Sequence, residues 1–228
     1  MEMPEQHVIQ IAGIRCISEA AMLVAAGVDW LGFPLRLPVH EEDTSDTLAA
    51  AIIQRVPNRA ECVLITYLST AEEIADLATA LSVSLVQLHG DIPIREIRTL
   101  RQSMPGLGIV KSLIVHEDET RQLLNHGRSF EPYVDAFITD TYDPSTGATG
   151  ATGKSHDWTV SRELVTELSK PLILAGGLTP ENVGDAIRVV RPWGVDAHTG
   201  VEDAAGRKSP ERVDTFVQTA REAFRQIG

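Results

Sequence analysis

The run Leu174-Ala175-Gly176-Gly177-Leu178-Thr179-Pro180-Glu181-Asn182 passes from apolar residues into two glycines and then into a proline and an acid opening a helical pattern. Strand, tight turn and helix in that order make one βα unit. Glycines let backbone N–H groups come close to a ligand, and a helix N-terminus favours an anion. Outward from this unit the same alternation fills the chain. Apolar runs at Val8–Ala12, Trp30–Phe33, Glu61–Thr66, Leu85–Leu88, Gly108–Leu113, Ala136–Asp140, Pro171–Ala175 and Val195–His198 make eight candidate strands. Stretches such as Ser18–Ala26, Ala71–Leu81, Pro93–Gln102, Pro180–Val190 and Pro210–Arg225 carry apolar residues at helical spacing among charged ones. Eight units in 228 residues predict an α/β protein, a single (β/α)8 TIM barrel over residues 1–228, in preference to an open doubly wound sheet.

Composition narrows the class. The chain is 43% hydrophobic and 23% charged, with neither a long apolar run nor a basic-then-apolar start, so a soluble cytoplasmic protein without a membrane partner is expected. A net charge of −12 repels polyanions, and nucleic acid is not an expected partner. Cys16 and Cys62 lack CxxC spacing and suggest neither a disulfide framework nor a cysteine metal site. His116 and His126, with Glu117, Asp118 and Glu119 between them, read as a solvated helix face, and no metal is expected there.

Prolines after a hydroxyl residue, in Thr179-Pro180-Glu181 and Ser209-Pro210-Glu211, mark helix starts. The longest loops are Pro34–Asp46 and Thr141–Asp157, both at the carboxyl face where barrels of this kind build their sites. The tract Thr146-Gly147-Ala148-Thr149-Gly150-Ala151-Thr152-Gly153 has no apolar anchor and is expected to be mobile until something binds it. After the eighth strand, His198-Thr199-Gly200-Val201-Glu202 adds a hydroxyl and another glycine. Paired with the Gly176-Gly177 turn, it matches the phosphate site that the last two loops of such barrels commonly form.

With these segments in view, the chain resembles the phosphoribosylanthranilate isomerase family over nearly its whole length. The resemblance lies in Ile9–Ile14, Val86-Gln87-Leu88-His89-Gly90-Asp91, Gly150–Trp158, Leu174–Asn182 and Gly194–Glu202. It implies an Amadori rearrangement of an N-linked phosphoribose to an aminodeoxyribulose phosphate, a step of tryptophan biosynthesis. A general acid opens the ribose ring and a general base removes the proton on C2. The acid's position falls on Asp140, after Ala136-Phe137-Ile138, where partial burial would raise its pKa. Phosphate is assigned to the backbone of Gly153, Gly176, Gly177 and Gly200, with Thr199 assisting, and His89 is expected to contact substrate. No cofactor is implied.

The resemblance breaks at the base. Where the family has lysine, an apolar residue, cysteine and glycine, this chain reads Gln10-Ile11-Ala12-Gly13. Alanine takes no proton, and losing a positioned base costs about 10²–10⁴-fold in rate. His198 is the first candidate for a relocated base, because histidine titrates near neutrality, with His40 and Cys16 behind it. Cys16 reads instead as a small residue packed at a helix start, and Cys62 as structural. The family's loop arginine, which pairs with the anthranilate carboxylate, falls near His40 or Glu41, and Arg36 lies in the same loop. Three readings follow: this isomerase, another isomerase or lyase acting on a different phosphorylated small molecule, and a non-catalytic binder of phosphorylated ligands. A monomer and a homodimer are both compatible with the sequence.

Overall fold

The computed structural model describes residues 6–37, 42–115, 120–143, 148–149 and 157–228. The strands are β1 (Val8–Ala12), β2 (Trp30–Leu35), β3 (Glu61–Thr66), β4 (Leu85–Leu88), β5 (Gly108–Val115), β6 (Ala136–Asp143), β7 (Ala148–Thr149), β8 (Leu172–Leu174) and β9 (Gly194–Ala197). The helices are α1 (Ile17–Ala26), α2 (Asp46–Ile53), α3 (Ala71–Leu81), α4 (Ile94–Ser103), α5 (Thr120–Phe130), α6 (Trp158–Glu167), α7 (Val183–Val190) and α8 (Pro210–Ile227). All strands but β7 run parallel in the order β5-β4-β3-β2-β1-β9-β8-β6, and β5 pairs with β6 to close an eight-stranded barrel. The predicted (β/α)8 fold is therefore the observed one.

Period-two alternation sorts the strand residues into two cores. Ile9, Ile11, Leu31, Phe33, Val195 and Ala197 point outward into the layer shared with the helices. Val8, Ala12, Trp30, Val63, Val110, Ile138 and Ile173 fill the barrel itself. At its amino-terminal end Trp30 is sealed and meets Trp193 edge to face, 5.6 Å between centroids. The same end carries two matched clamps. Asp29 accepts from Ile9 N at 2.7 Å and from Arg221 of α8, while Asp135 accepts from Ile109 N at 2.8 Å and from Arg101 of α4.

Several local expectations need correction. Pro180 does not open α7; residues 180–182 form a turn in which Thr179 O accepts from Asn182 N and Val183 N, and the helix begins at Val183. Asn182 Oδ1 accepts the Thr179 N–H and Thr179 Oγ1 accepts the Glu181 N–H, reciprocal bonds that hold this turn. Pro210 does open its helix, with Ser209 Oγ accepting from Arg212 N. Cys16 caps α1 but is exposed rather than packed. Cys62 is buried, and burial pushes its thiol up to about 12. In the glycine-threonine tract, Ala148–Thr149 pairs antiparallel with Tyr142 and Asp143; the rest of it lies outside the described residues. Among the described residues, no helix is long and apolar enough to cross a membrane.

Because Trp30 seals the barrel floor, Trp30→Ala is expected to destabilise the protein by about 3–5 kcal/mol, read as a lower urea midpoint.

Candidate active site

Toward the carboxyl ends of the strands, titratable side chains turn into the barrel rather than out to the helices. Asp140, near the end of β6, alternates with outward-facing Phe137 and inward-facing Ile138 to face the barrel mouth. Burial pushes its carboxyl up to about 7; the Thr141 N–H, donating to Oδ1 at 2.7 Å, pulls the other way, and the charge of Asp196 raises it further. A carboxyl with that pKa is protonated in about half of the molecules at neutrality and can release its proton to a nearby oxygen, as a general acid must.

A polar chain leads away from Asp140 across the barrel. His89 is buried, with Nε2 3.8 Å from Asp140 Oδ2 and Nδ1 3.1 Å from Ser112 Oγ. Gln87 Nε2 lies 3.4 Å from His89 Nδ1, and Gln10 Nε2 donates to Gln87 Oε1 at 3.0 Å. Gln10 pairs in register with Asp196 of β9, whose neighbours Val195 and Ala197 face outward, so Asp196 faces in. Burial pushes Asp196 up to about 7, with the Gln10 amide and the Lys208 charge opposing.

The glycine loops after β8 and β9 lie against one another. Gly176 and Gly177 both have positive φ, at 101° and 63°, and Asn182 Nδ2 donates to Gly177 O at 2.9 Å. Beyond β9, Thr199–Val201 form a 3-10 turn. Gly200 packs so tightly on the preceding loop that a Cβ there would stand 1.9 Å from Leu178 O. The two loops are thus in van der Waals contact, with Gly176, Gly177, Thr199 and Gly200 on their shared rim. Gly153 lies outside the described residues.

His198 sits apart from the Asp140 end of this chain. Its ring lies over Gly13, where a Cβ would come within 2.1 Å of Nε2, and Nε2 is 3.5 Å from Asp43 Oδ2 and 3.6 Å from Glu202 Oε1. Lys208, buried, donates to His198 O at 3.1 Å and Glu202 Oε1 at 2.6 Å; burial lowers its pKa and the carboxylates oppose that. Arg36 has left-handed backbone, φ 63°, and its fork grips Asp46 at 2.9 and 2.6 Å on the surface. His40 lies outside the described residues. The inward face thus joins His89 to Asp140 but leaves Arg36 and His198 on the rim.

Sequence reasoning missed Asp196, Lys208 and Lys111. Asp196 had a visible signal: an acid between outward-facing Val195 and Ala197 must point into the barrel. Lys111 had none, because it lies on the outer face of β5. Its ammonium turns back to donate to Gly90 O at 3.2 Å and Ser112 O at 2.8 Å, and burial lowers its pKa to about 8 against the charge of Asp91. It thereby fixes the loop that carries His89.

A closed parallel barrel with buried carboxyls of raised pKa turned into it defines the class, a barrel enzyme. Residues 9–219 match the family model described as N-(5'-phosphoribosyl)anthranilate (PRA) isomerase. The chain is 40% identical to N-(5'-phosphoribosyl)anthranilate isomerase 2 of Methanosarcina mazei over 220 residues, 96% of each chain. Its fold is similar to the crystal structure of phosphoribosyl anthranilate isomerase from Thermotoga maritima, with a TM-score of 0.80 and 29% identity over 95% of this chain and 100% of that one. It is also similar to a phosphoribosyl anthranilate isomerase in complex with reduced 1-(o-carboxyphenylamino)-1-deoxyribulose 5-phosphate, at a TM-score of 0.78 and 28% identity over 95% of this chain and 100% of that one. The chain belongs to the N-(5'-phosphoribosyl)anthranilate isomerase family.

Asp140 and Asp196 both have pKa values above those of the unfolded chain, so between about pH 4 and 7 the folded state binds more protons and these groups' contribution to stability falls as pH rises. Asp140→Asn is therefore expected to raise the unfolding temperature at pH 8 by several degrees, and by less at pH 5. Equal shifts at both pH values would contradict the burial argument.

Proposed function

We propose that this protein isomerises N-(5'-phosphoribosyl)anthranilate to 1-(o-carboxyphenylamino)-1-deoxyribulose 5-phosphate, as a cytoplasmic enzyme of tryptophan biosynthesis. The observation that carries the reading is Asp140, held at about pKa 7 by burial at the barrel mouth. In this reading Asp140 donates its proton to the ribose ring oxygen, C1–O breaks, and a Schiff base to the anthranilate nitrogen forms. His89, 3.8 Å away, steadies the carboxylate left behind. The phosphate lies on the rim where Gly176, Gly177, Thr199 and Gly200 meet, and no cofactor or metal takes part. Every residue named comes from one chain, so a monomer and a homodimer would both be competent.

Turnover of phosphoribosylanthranilate, followed as loss of anthranilate-type fluorescence, tests the reading. The purified chain is expected to be active, and Asp140→Asn to lower kcat by about 10²-fold or more. An unchanged kcat removes Asp140 from the reaction. Gly200→Ala is expected to act differently, raising KM through the displaced Leu178 carbonyl.

One observation favours a second reading, another phosphoribosylated amine on the same cradle: the Arg36 fork is already held by Asp46. Such an exposed pair is worth little and can yield to a substrate carboxylate. If Arg36 reads anthranilate, Asp46→Ala lowers KM for phosphoribosylanthranilate; an unchanged KM would favour an aglycone without that carboxylate.

A further inference from the structure

We infer that Asp196 is the base that takes the proton from C2 of the ring-opened substrate, relieving position 12 of that task. The inference rests on the reaction proposed above and goes beyond it by assigning the half that Ala12 cannot perform.

Asp196 stands on the strand that pairs with β1, directly opposite Gln10 and one inward step below the level of Ala12. Its Oδ1 and the neighbouring Gln10 Oε1 are both sealed, and neither has a hydrogen-bond partner. Two buried acceptors without a donor leave a place for a proton, and an unmet buried acceptor costs roughly 1–3 kcal/mol until one arrives. The residue as a whole keeps partial exposure.

Electrostatics then divides the labour. Among the described residues, the charged groups facing Asp196 are Asp140 from β6 and Lys208 ahead of α8; β1 offers only neutral Gln10, and β8, Leu172–Leu174, has nothing titratable. Two buried carboxyls that feel one another's charge do not both ionise near neutrality. One keeps its proton as the acid while the other, ionised, accepts one. Asp196 suits the second role, because the Gln10 amide and the Lys208 charge favour its ionised form. Lysine at position 10 would hold Asp196 as a tight ion pair and weaken it as a base. His198, by contrast, has its ring between Asp43 and Glu202 on the rim.

The proton account closes. Asp140 gives its proton to the ring oxygen as C1–O breaks. The Asp196 carboxylate takes the C2 proton, the C2–H pair becomes the C1–C2 double bond, and the C1–N π pair returns to nitrogen. Asp196 then gives that proton to C1 while the C2 hydroxyl proton passes to the Asp140 carboxylate. The ketone forms and both residues regain their starting states.

The test compares Asp196→Asn, alone and with the pair Gln10→Lys and Ala12→Cys, on phosphoribosylanthranilate from pH 5 to 9. Expected are a fall in kcat of about 10²-fold or more with KM within about threefold, loss of the acidic limb of the rate profile, and recovery of at least about tenfold when Gln10→Lys and Ala12→Cys together supply a thiolate. The same pair in an Asp140→Asn background should recover nothing. Should Asp196→Asn not fold, Asp196→Glu serves: the displaced carboxylate keeps the acidic limb and lowers kcat. The assignment is overturned by kcat within about threefold of the parent, by a retained acidic limb in Asp196→Asn, or by a loss that the Gln10→Lys and Ala12→Cys pair does not repair. It also falls if His198→Gln abolishes turnover while Asp196→Asn does not. A parent chain inactive on this substrate overturns the proposed reaction itself, whereas an active parent with an active Asp196→Asn overturns only the base.

Discussion

The seam between the first and last large strands governs everything else in this protein. A parallel barrel closes only where β1 and β9 find one register, here Val8 opposite Gly194 and Gln10 opposite Asp196. A slip of one residue would turn Ile9, Ile11, Val195 and Ala197 inward and expel Gln10 and Asp196 among the helices. The outer apolar layer cannot tolerate that exchange, because it would bury a carboxylate among Ile, Leu and Val with no partner. Packing on the outside of the seam therefore determines the chemistry on its inside. The helices hold the polar chain from Asp196 to Asp140 in place without touching it.

Such an interior is costly, and the surrounding loops show how the cost is offset. The two inward carboxyls are destabilised as charges, and between them the Gln10 amide donates to Gln87, whose own amide lies against the His89 ring. Two buried lysines brace the segments that carry the site: Lys111 ties down the loop of His89, and Lys208 the loop after β9. Each ammonium is itself less basic than in water, so each trades some of its own solvation for the rigidity of a loop. Rigid loops are what a site needs if proton donor and acceptor are to meet the substrate in one geometry.

How far the sequence could be read follows from the same physics. The eight strands were legible because each is a short apolar run, and Val8–Ala12, Glu61–Thr66 and Leu85–Leu88 hold the bounds read from the pattern. Asp140 and His89 were legible because strand ends at the carboxyl face carry function, and the structure brings the two side chains together. Pro180 misled because a proline after threonine suits a turn as well as a helix start, and here a turn precedes the helix that begins at Val183. Lys111 was opaque for a deeper reason. Its backbone position belongs to the outer face, and only the length of its side chain lets the ammonium reach the Gly90 carbonyl. Pattern assigns a Cα to a face but says nothing about where a four-carbon stem ends.

Gln10 and Ala12 make better sense together than apart. A thiol at position 12 needs a cation nearby to become a thiolate, so the loss of one removes the reason for the other. Once position 10 is neutral, the carboxyl opposite it is no longer held down by an adjacent ammonium, and burial, against the Gln10 amide and the Lys208 charge, brings it to about 7. The same substitution that would disable a thiol thus prepares a carboxylate one strand away. On this view the barrel has not lost a base; it has moved the proton acceptor across the β1–β9 seam, from a residue needing activation to one activated by burial.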